Sequence, residues 1–403
     1  EMKIQAVQYH GGDAVTIHLV GDTFDEALQK AQEVENQSGK CFVHAFNDLQ
    51  VMGGQGTMAD EIVMSGQGPF DFAFIQIGGG GLAAAISCWL KAYYPAIKII
   101  GVEGEDQASM KAAVAAGEPV RLDYLDVFCD GTAVREAGNL TFSLCRETID
   151  DFITVSNEEV SAAVQDLWSA ARCIPEPSGA MGLAGARKWG SDLDGKKVLL
   201  FLCGANMDFH QLGKMSREAD LGANRLRFFR ISIPEGHGKM LEVLSMFPEQ
   251  TNIADFQYGK THDDRAFPVV GFEAEPEKLE SLVQGFAKNH IEVEEVTHEE
   301  DVTFRVIPFK PSLSRNPWFI HLEFYERPGA LSGFLNSLSQ DASICYFNYS
   351  YSGERVGHAL IGFEFHSPEK REAFKQDVKP LQGRSYRHLR AVSEATLERI
   401  LTE

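Results

Sequence analysis

The chain has 403 residues, 44% of them hydrophobic and 24% charged, and its 58 acidic and 37 basic residues give a formal net charge of −21. This length predicts two or three domains, the composition is that of a folded globular protein, and no apolar run is long enough to span a membrane. Because the net charge repels phosphate backbones and anionic lipids, we expect neither nucleic acid nor a membrane as a partner.

The seven cysteines are scattered along the chain and include no C-x-x-C pair. This pattern favours reduced thiols in a cytosol-like compartment over a disulfide framework or a zinc site. The first residues have neither the apolar stretch of a signal peptide nor the Arg- and Ser-rich character of a transit peptide. We therefore expect a cytoplasmic protein, and a plastid location stays open because the chain starts without an initiator methionine.

The first half of the chain alternates strand-like apolar runs with helical patterns, which predicts parallel βαβ units. The run 197–202 is apolar without alternation, as expected of a strand that is covered on both faces. The predicted strands are 14–19, 70–77, 97–102 and 197–202, and the predicted helices are 23–36, 82–94, 109–116, 139–150, 157–171 and 179–189.

Four consecutive glycines, Gly78 to Gly81, follow the predicted strand 70–77 and precede the helix-forming run Leu82 to Ala85. A loop without side chains at a helix N-terminus presents backbone N–H groups and the positive end of the helix dipole to an anion. The plainer interpretation is a tight turn packed against a neighbour. Because each glycine costs backbone entropy, four in a row favour a phosphate site over a turn alone.

A dinucleotide-binding fold is the rival interpretation of this loop. Gly78, Gly80 and Ala83 fit the pattern G-x-G-x-x-A, and Glu103 closes the next predicted strand about 25 residues later. A Rossmann half does not account for the further glycines of the chain, and no Walker-type Lys-Ser/Thr ending follows the loop. These further glycines are Gly53, Gly54, Gly56 and Gly179.

The sequence changes character after Phe209, and the charged segment 214–227 predicts a helical or linker boundary. Beyond it, the sequence matches itself at an offset of 91 residues, which predicts two copies of one βαββαβ module of the ferredoxin-like type, at 228–300 and 318–403. The matched pairs are Ile231 and Leu322, Glu235 and Glu326, Gly238 and Gly329, Met240 and Leu331, Ile253 and Ile344, Phe256 and Phe347, Tyr258 and Tyr349, Gly271 and Gly362, Phe272 and Phe363, and Glu273 and Glu364.

Tyr258 and Tyr349 occupy the same position in the two copies, each two residues after a phenylalanine. On a strand this spacing puts both rings on one face, either in the core or on the wall of a cleft between the copies. The retained hydroxyl groups favour a polar task, and tyrosines that merely cap a sheet are the alternative.

The glycine run belongs to a series of segments that resembles the fold type II pyridoxal-phosphate enzymes. Together with the doubled C-terminal module, the series is similar to the biosynthetic threonine ammonia-lyases (threonine dehydratases). The resemblance covers nearly the whole chain and implies an incomplete α/β catalytic domain, 1–213, a linker, 214–227, and tandem α+β, ACT-like regulatory modules. The segments are Gly53-Gly54-Gln55-Gly56-Thr57, Gly78 to Ala84, Glu176 to Ala180, and Cys203-Gly204-Ala205-Asn206.

The resemblance implies roles for particular residues. Gly78, Gly79, Gly80, Gly81 and Leu82 match the loop whose amides hold the phosphate of pyridoxal 5'-phosphate. Cys203 matches the position beside the pyridine nitrogen, where a neutral thiol favours β-elimination over transamination. A buried small hydrophobe at a strand end is the alternative for Cys203.

The sequence departs from the family at the catalytic lysine. In the family this lysine forms the Schiff base and lies in a Ser-Phe-Lys-x-Arg-Gly-Ala segment, which this chain lacks together with the Ser/Gly-Asn-His stretch. We therefore expect a truncated catalytic polypeptide, or a short form kept for regulation, and no activity from this chain alone. No catalytic residue is assigned.

By resemblance, the predicted function is conversion of L-threonine, and less well L-serine, to a 2-oxo acid and ammonia, with 2-oxobutanoate from threonine. Isoleucine and valine are the implied effectors, and the implied assembly is a homotetramer. The alternative is a non-catalytic sensor of branched-chain amino acids in which the α/β part is a scaffold.

Other candidate sites are disfavoured by their context. The histidines and glutamates of His290-x-Glu292 and His298-Glu299-Glu300 lie in an acidic run that is typical of a solvated face, and no metal site is predicted. Glu103, with Asp106 nearby, resembles a position where some fold type II enzymes hold a cation, but Ser109 stands where the resemblance implies a carboxylate ligand. Ser178 is not in a G-x-S-x-G elbow, so it is not a predicted nucleophile.

Overall fold

The computed structural model describes residues 2–21, 24–207, 209–236, 239, 252–289, 291–325, 331, 334–335, 338, 342–351 and 356–401. The chain divides into two compact units, Glu1–Ala223 and Asn224–Glu403. Among the described residues no helix combines the length and the apolar character that crossing a bilayer requires.

The first unit is an α/β structure around a four-stranded sheet. Its helices are α1 (Met2–Gly11), α2 (Phe24–Ser38), α3 (Leu49–Met64), α4 (Gly81–Tyr93), α5 (Ser109–Ala116), α6 (Asn139–Thr148), α7 (Asn157–Ala171), α8 (Pro177–Trp189) and α9 (Phe209–Gly222). Its strands are β1 (Phe72–Gln76), β2 (Lys98–Gly104), β3 (Asp151–Val155) and β4 (Val198–Leu200).

The sheet is parallel throughout and has the order β3-β2-β1-β4. All five residues of β1 are buried, because helices cover both faces of the sheet and form one hydrophobic cluster on each side. The chain leaves β1 toward β2 on one side and later returns on the other side as β4. The carboxyl end of β1 is therefore a topological switch point, where ligands of open α/β sheets bind.

Most predicted elements of this unit are confirmed, and one is wrong. The structure has no strand at 14–19, where Val15 and Leu19 are exposed. Alternating residues form a strand only when a neighbouring strand completes the hydrogen bonds, and no described strand pairs with this segment.

Three elements of the first unit, α1, α3 and β3, were not predicted. In α3 three glycines interrupt the helical pattern, yet Asp48 caps the helix by accepting hydrogen bonds from the amides of Gln50 and Val51. Strand β3 is short and begins with an acidic residue, and it forms because it pairs with β2.

The second unit contains the two module copies in one antiparallel arrangement of strands. The strands are β5 (Leu226–Pro234), β6 (Asn252–Gly259), β7 (Arg265–Ala266), β8 (Val269–Glu273), β9 (Glu292–Glu295), β10 (Trp318–Tyr325), β11 (Ser343–Ser350), β12 (Val356–Glu364) and β13 (His388–Ala391). The helices are α10 (Pro276–Lys288), α11 (Glu300–Thr303), α12 (Pro368–Val378) and α13 (Glu394–Leu401).

The predicted repeat is visible in the strands. Strand β11 begins and ends 91 residues after β6, and each has one bulged residue at the equivalent position, Ala254 and Cys345. The predicted first helix of each copy lies largely outside the described residues. So do one or both members of the pairs Glu235 and Glu326, Gly238 and Gly329, and Met240 and Leu331.

The copies join edge to edge through β6 and β11. The register pairs Gln257 with Asn348, which are equivalent residues, so an approximate two-fold axis passes between them. Beside this axis the rings of Phe256 and Phe347 lie 4.6 Å apart, centroid to centroid, in the core of the unit. The path of strands is β13-β10-β12-β11-β6-β8-β5-β7, and β9 pairs with β5.

The segment 214–227 is helix and strand over most of its length. Residues 214–222 belong to α9 and residues 226–227 to β5. The sequence places the start of the second unit near Phe228, and the division between the units falls after Ala223.

Candidate functional site

The tetraglycine loop lies at the switch point of the parallel sheet, between β1 and α4. Gly79, Gly80 and Gly81 are buried, and Gly80 is the N-cap residue of α4 with a φ of 94°. No side chain makes a capping hydrogen bond at this helix end. The first amides of a helix have no partner within it, so a buried N-terminus without a capping side chain suits a bound anion.

The loop is held in one orientation from the side of α6. The hydroxyl group of Thr141 donates a hydrogen bond of 2.6 Å to the carbonyl oxygen of Gly79. In a trans peptide the N–H points away from the preceding carbonyl, so the amide of Gly80 is directed away from Thr141. This side chain therefore fixes which face of the loop presents its amides.

Packing also requires glycine in this loop. A Cβ atom on Gly79 would lie 2.4 Å from the ring of Phe46, and one on Gly78 would lie 2.9 Å from the Cα of Thr132. The packing supports the close-packed turn and is compatible with an anion site, because both need the same absence of side chains. Any side chain introduced at Gly78 or Gly79 would therefore disturb the packing, whether or not it carries a charge.

Cys203 follows β4, next to the end of β1, and Gln76 binds it directly. The Gln76 Nε2 donates hydrogen bonds of 2.8 Å to the Sγ of Cys203 and 3.1 Å to the carbonyl oxygen of Phe201. The Oε1 of Gln76 is buried and has no hydrogen-bond partner among the described residues. Gln76 was not predicted from the sequence, although a polar amide at the end of an otherwise apolar strand indicates a candidate site residue.

The Cys203 thiol is neutral near pH 7. Cys203 is exposed as a residue, but partial burial of its sulfur raises the pKa of the thiol, and Glu176 raises it further. The hydrogen bond from Gln76 opposes this effect. The side chain beside the end of β1 is therefore an uncharged group that can donate a hydrogen bond.

The segments Glu176 to Ala180 and Cys203 to Asn206 lie side by side. The amide of Glu176 donates to the carbonyl oxygen of Gly204 over 3.1 Å, and the Glu176 carboxylate accepts from the amide of Asn206 over 3.1 Å. A Cβ atom on Gly179 would lie 1.5 Å from the carbonyl oxygen of Cys203, so glycine is obligatory there.

This pair of segments is tied to the glycine loop through Thr132. Its hydroxyl group lies 3.4 Å from that of Ser178, and its backbone contacts Gly78. Three of the four segments of the family resemblance thus meet at one place. The fourth contains Gly53 and Gly54, which lie exposed on α3 with open space around them.

Glu103 has a structural role that removes the basis for a dinucleotide site. Its buried carboxylate accepts hydrogen bonds of 2.8 Å and 2.9 Å from the amides of Met110 and Lys111 at the start of α5. Burial raises the pKa of Glu103 to about 7, against these hydrogen bonds. A carboxylate engaged in this way does not reach a ribose hydroxyl.

The structure describes most of the remaining candidates from the sequence. His290 lies outside the described residues, and Glu292 is bound by Arg265 over 2.9 Å. Glu299 lies at the N-terminus of α11. Ser178 is buried in the first turn of α8, close to Thr132.

The two candidate tyrosines of the second unit, Tyr258 and Tyr349, are core residues. Both side chains are buried in its hydrophobic cluster, with 3% exposure for Tyr258 and 1% for Tyr349. The Tyr258 hydroxyl group donates a 2.6 Å hydrogen bond to the Glu235 carboxylate. Burial and this hydrogen bond raise the pKa of Tyr258, and burial raises that of Glu235. The ring of Tyr349 packs 5.5 Å from that of Phe324.

Glu235 connects Tyr258 to a cavity of about 320 Å³. The cavity is bounded by both module copies and by the segment that joins them. A buried ion pair forms part of its wall, because the Nζ of Lys260 lies 2.7 Å from the carboxylate of Glu364. Further lining residues are Asp263, Leu313, Arg315, Ser343, Phe365 and His366.

The sequence matches two protein families that together cover nearly the whole chain. Residues 1–204 match the family described as pyridoxal-phosphate dependent enzyme. Residues 217–306 and 312–390 match the C-terminal regulatory domain of threonine dehydratase, in two stretches that correspond to the two module copies.

Curated relatives are similar over most of the chain. The biosynthetic L-threonine dehydratase of Haemophilus influenzae is 35% identical over 402 residues, which cover 96% of this chain and 77% of the relative. The Escherichia coli enzyme of the same name is 35% identical and covers 92% and 73%. The chloroplastic enzyme of Arabidopsis thaliana is 32% identical and covers 94% and 64%.

Solved structures also resemble the chain, and a threonine deaminase is one of them. The processed form of threonine deaminase isoform 2 from Solanum lycopersicum is 39% identical, with a TM-score of 0.51. The match covers 54% of this chain and 63% of that one.

Proposed function

The chain belongs to the pyridoxal-phosphate-dependent threonine dehydratases, and from this premise we propose that its first unit binds pyridoxal 5'-phosphate for the deamination of L-threonine. The phosphate binds the amides of Gly78, Gly79, Gly80, Gly81 and Leu82, and the pyridine nitrogen faces Cys203. With the family's lysine segment supplied, the products are 2-oxobutanoate and ammonia, and L-serine is a slower substrate. The non-catalytic sensor is not retained, because residues 1–204 match an enzyme family.

The observation that carries this proposal is the buried N-terminus of α4 without a capping side chain, at the switch point beside Cys203. Buried backbone donors are almost always paired in folded proteins. A phosphate supplies several acceptor oxygens and the negative charge that the helix dipole favours. The residues present therefore fit the cofactor at both of its ends.

When bound, pyridoxal phosphate supplies the electron-withdrawing ring that makes the Cα proton of threonine acidic and allows the β-hydroxyl group to leave. The glycine loop anchors this ring by its phosphate. Gln76 holds the Cys203 thiol in place, and the neutral thiol does not supply the charge that would keep the ring nitrogen protonated. This arrangement favours elimination over transamination.

The proposal assigns binding and regulation to this sequence and leaves the proton transfer at Cα unassigned. The 403 residues contain no Ser-Phe-Lys-x-Arg-Gly-Ala segment, and the lysines of the first unit stand in unrelated sequence contexts. Lys3, for example, is paired with Asp130 on the surface.

Binding of pyridoxamine 5'-phosphate tests the phosphate site. This analogue has no aldehyde, so it does not react with surface lysines, and pyridoxamine without phosphate is the matched ligand. Because a side chain at position 79 clashes with Phe46, the variants Gly79→Asp and Gly79→Asn are compared in a Phe46→Ala background. Asp and Asn have the same size, so their difference isolates the charge.

We expect Gly79→Asp to weaken binding of the phosphorylated ligand at least about 100-fold relative to Gly79→Asn, since like charges repel strongly in a partly buried site. Equilibrium dialysis measures both affinities. Equal affinities for the two variants, or equal binding of pyridoxamine with and without phosphate, would contradict the phosphate assignment.

We also propose that the second unit binds isoleucine, with valine as a competing effector, and that Tyr258 and Tyr349 contribute to this response. The support is the cavity between the copies, which has the size of a small-molecule site and holds charges of both signs. Tyr258 reaches the cavity wall through its hydrogen bond to Glu235. Tyr349 is the equivalent residue of the second copy.

Calorimetric titration of isoleucine into the full chain tests this assignment. Tyr258→Phe removes only a hydroxyl group, and Tyr349→Phe is the matched variant. We expect at least tenfold weaker binding for Tyr258→Phe, because the loss of the hydroxyl group removes the hydrogen bond that holds the Glu235 carboxylate at the cavity wall. No heat at millimolar isoleucine would contradict the effector site, and normal binding by both variants would contradict the tyrosine roles alone.

The assembly and location complete the proposal. We propose a homotetramer in the cytoplasm, or in a plastid, as the chloroplastic name of the Arabidopsis relative suggests. Light scattering coupled to gel filtration measures the assembly, and a mass that does not correspond to four chains would contradict it.

A further inference from the structure

Two histidines and a glutamate converge on the second module copy, on the sheet face opposite its hydrophobic core. His321 and Glu323 are two residues apart on β10, so they share one face, and the intervening Leu322 is buried in the core. His358 lies on β12, directly opposite Glu323 in the antiparallel register. One nitrogen of each imidazole and one carboxylate oxygen all lie within 4.8 Å of one another.

The spacing of the two histidines matches that of metal ligands. The Nε2 of His321 lies 3.3 Å from the Nδ1 of His358. Two nitrogens at about 2.05 Å from a tetrahedral zinc ion are separated by about 3.3 Å. The ring planes are inclined by only 15°, so rotation about the soft χ2 torsion is needed to direct both lone pairs at one ion.

The neighbouring cations limit the affinity. The Arg387 guanidinium lies 3.8 Å from the Glu323 carboxylate and competes with an ion for it. On β13, His388 stands opposite Glu323 and Arg390 opposite His321. An ion held here has three protein ligands and water, and it binds against this positive charge.

We propose that His321, Glu323 and His358 form a binding site for one divalent transition-metal ion of the zinc, cobalt or nickel class. Imidazole nitrogens and a carboxylate oxygen are ligands that these ions accept, and the two strands hold them in a fixed register. The sequence gives no sign of this site, because His321 and His358 are 37 residues apart and only the pairing of β10 with β12 unites them.

Cobalt and zinc titrations of the full chain test the site. Exposed thiols such as Cys41 and Cys203 also bind these ions, so the protein is first alkylated with iodoacetamide. We expect one ion per chain with a micromolar dissociation constant, and visible cobalt absorption of the tetrahedral kind. His358→Gln, at an exposed position, should weaken binding at least about 100-fold, and Glu323→Gln about tenfold.

His262→Gln is the control, because His262 is an exposed histidine on the other module copy. It should bind like the unaltered protein, and circular dichroism verifies that the variants keep their fold. A dissociation constant of about 100 µM is the weakest binding that the proposal allows. If no one-to-one complex forms at about that metal concentration, the proposed site is wrong. Equal affinity of His358→Gln and His262→Gln would overturn it as well.

Discussion

The amide of Gln76 donates a 2.8 Å hydrogen bond to the sulfur of Cys203, and so it joins the carboxyl ends of two adjacent parallel strands. The same amide group binds the carbonyl oxygen of Phe201, which fixes its direction. The thiol that faces the proposed cofactor ring is thus positioned by a buried side chain from the strand that carries the glycine loop.

Removal of this hydrogen bond should change the titration of the thiol. A bond donated to sulfur stabilises the thiolate, so Gln76→Leu should raise the pKa of Cys203 further, and Glu176→Gln should lower it by removing a nearby negative charge. The rate of alkylation of Cys203 as a function of pH, followed by peptide mass spectrometry, measures both shifts. Identical profiles for the three proteins would show that neither group acts on this thiol.

Glu103 should make the stability of the first unit fall between pH 4.5 and 7. Its folded-state pKa of about 7 lies above the ordinary value of 4.5, so the folded protein binds this proton more tightly than the unfolded chain. The stabilising contribution is complete below pH 4.5 and is lost as pH rises through 7, with a slope of at most about 1.4 kcal/mol per pH unit.

Glu103→Gln should flatten this part of the pH profile. The variant is also less stable at low pH, because its amide nitrogen faces a backbone donor and leaves one hydrogen bond unmade, at a cost of about 1–3 kcal/mol. Urea unfolding followed by tryptophan fluorescence in a Trp318→Phe background reports on the first unit. An unchanged slope between pH 4.5 and 7 would assign the pH dependence to other groups.

The effects of substituting Lys260 and Glu364 on the stability of the second unit should be strongly coupled. Their side chains are only 9% and 12% exposed, and the pair links the two module copies. Lys260→Met leaves a carboxylate buried without its cation and should cost about 3–5 kcal/mol, whereas the double variant with Glu364→Met should lose much less. Native-state hydrogen exchange of peptides from β6 and β12 measures both. Additive losses would mean that the two residues do not interact.

The 403-residue chain should form no 2-oxobutanoate from L-threonine, even with pyridoxal phosphate present, because it contains no lysine in the family's catalytic context. A chimera that carries a relative's Ser-Phe-Lys segment ahead of Glu1 should be active. Replacement of that lysine by alanine is the control. If the unaltered chain forms 2-oxobutanoate faster than free cofactor does, the conclusion that it lacks the catalytic lysine is wrong.

Much of the fold was predictable because its signals are local. The glycine run after an apolar strand, and the repeat at a fixed offset, depend on residues that are close in sequence or copied in register. The segment 14–19 has the alternation of a strand but no neighbouring strand among the described residues, and periodicity alone does not reveal whether a neighbour exists. The helix α3 was missed because its glycines resemble a loop motif.

The candidate site was predictable only in part. The glycines and Cys203 belong to recognisable segments, whereas Gln76 acquires its role from a contact with a residue 127 positions away. The sequence left two positions possible for Tyr258, in the core or on the wall of a cleft. In the structure its ring lies in the core, and its hydroxyl group binds Glu235 of the cavity wall.

The two module copies share their strands and their bulge, but they differ in charge at one position of the cavity wall. Lys260 of the first copy corresponds to Tyr351 of the second. Lys260 forms an ion pair with Glu364, whereas the equivalent position across the approximate two-fold axis carries an uncharged tyrosine. A dimer of identical chains receives every mutation in both of its symmetric sites. Tandem copies on one chain receive each mutation once, so natural selection can alter the ligand preference of one side of this sheet while the other side keeps its ancestral form.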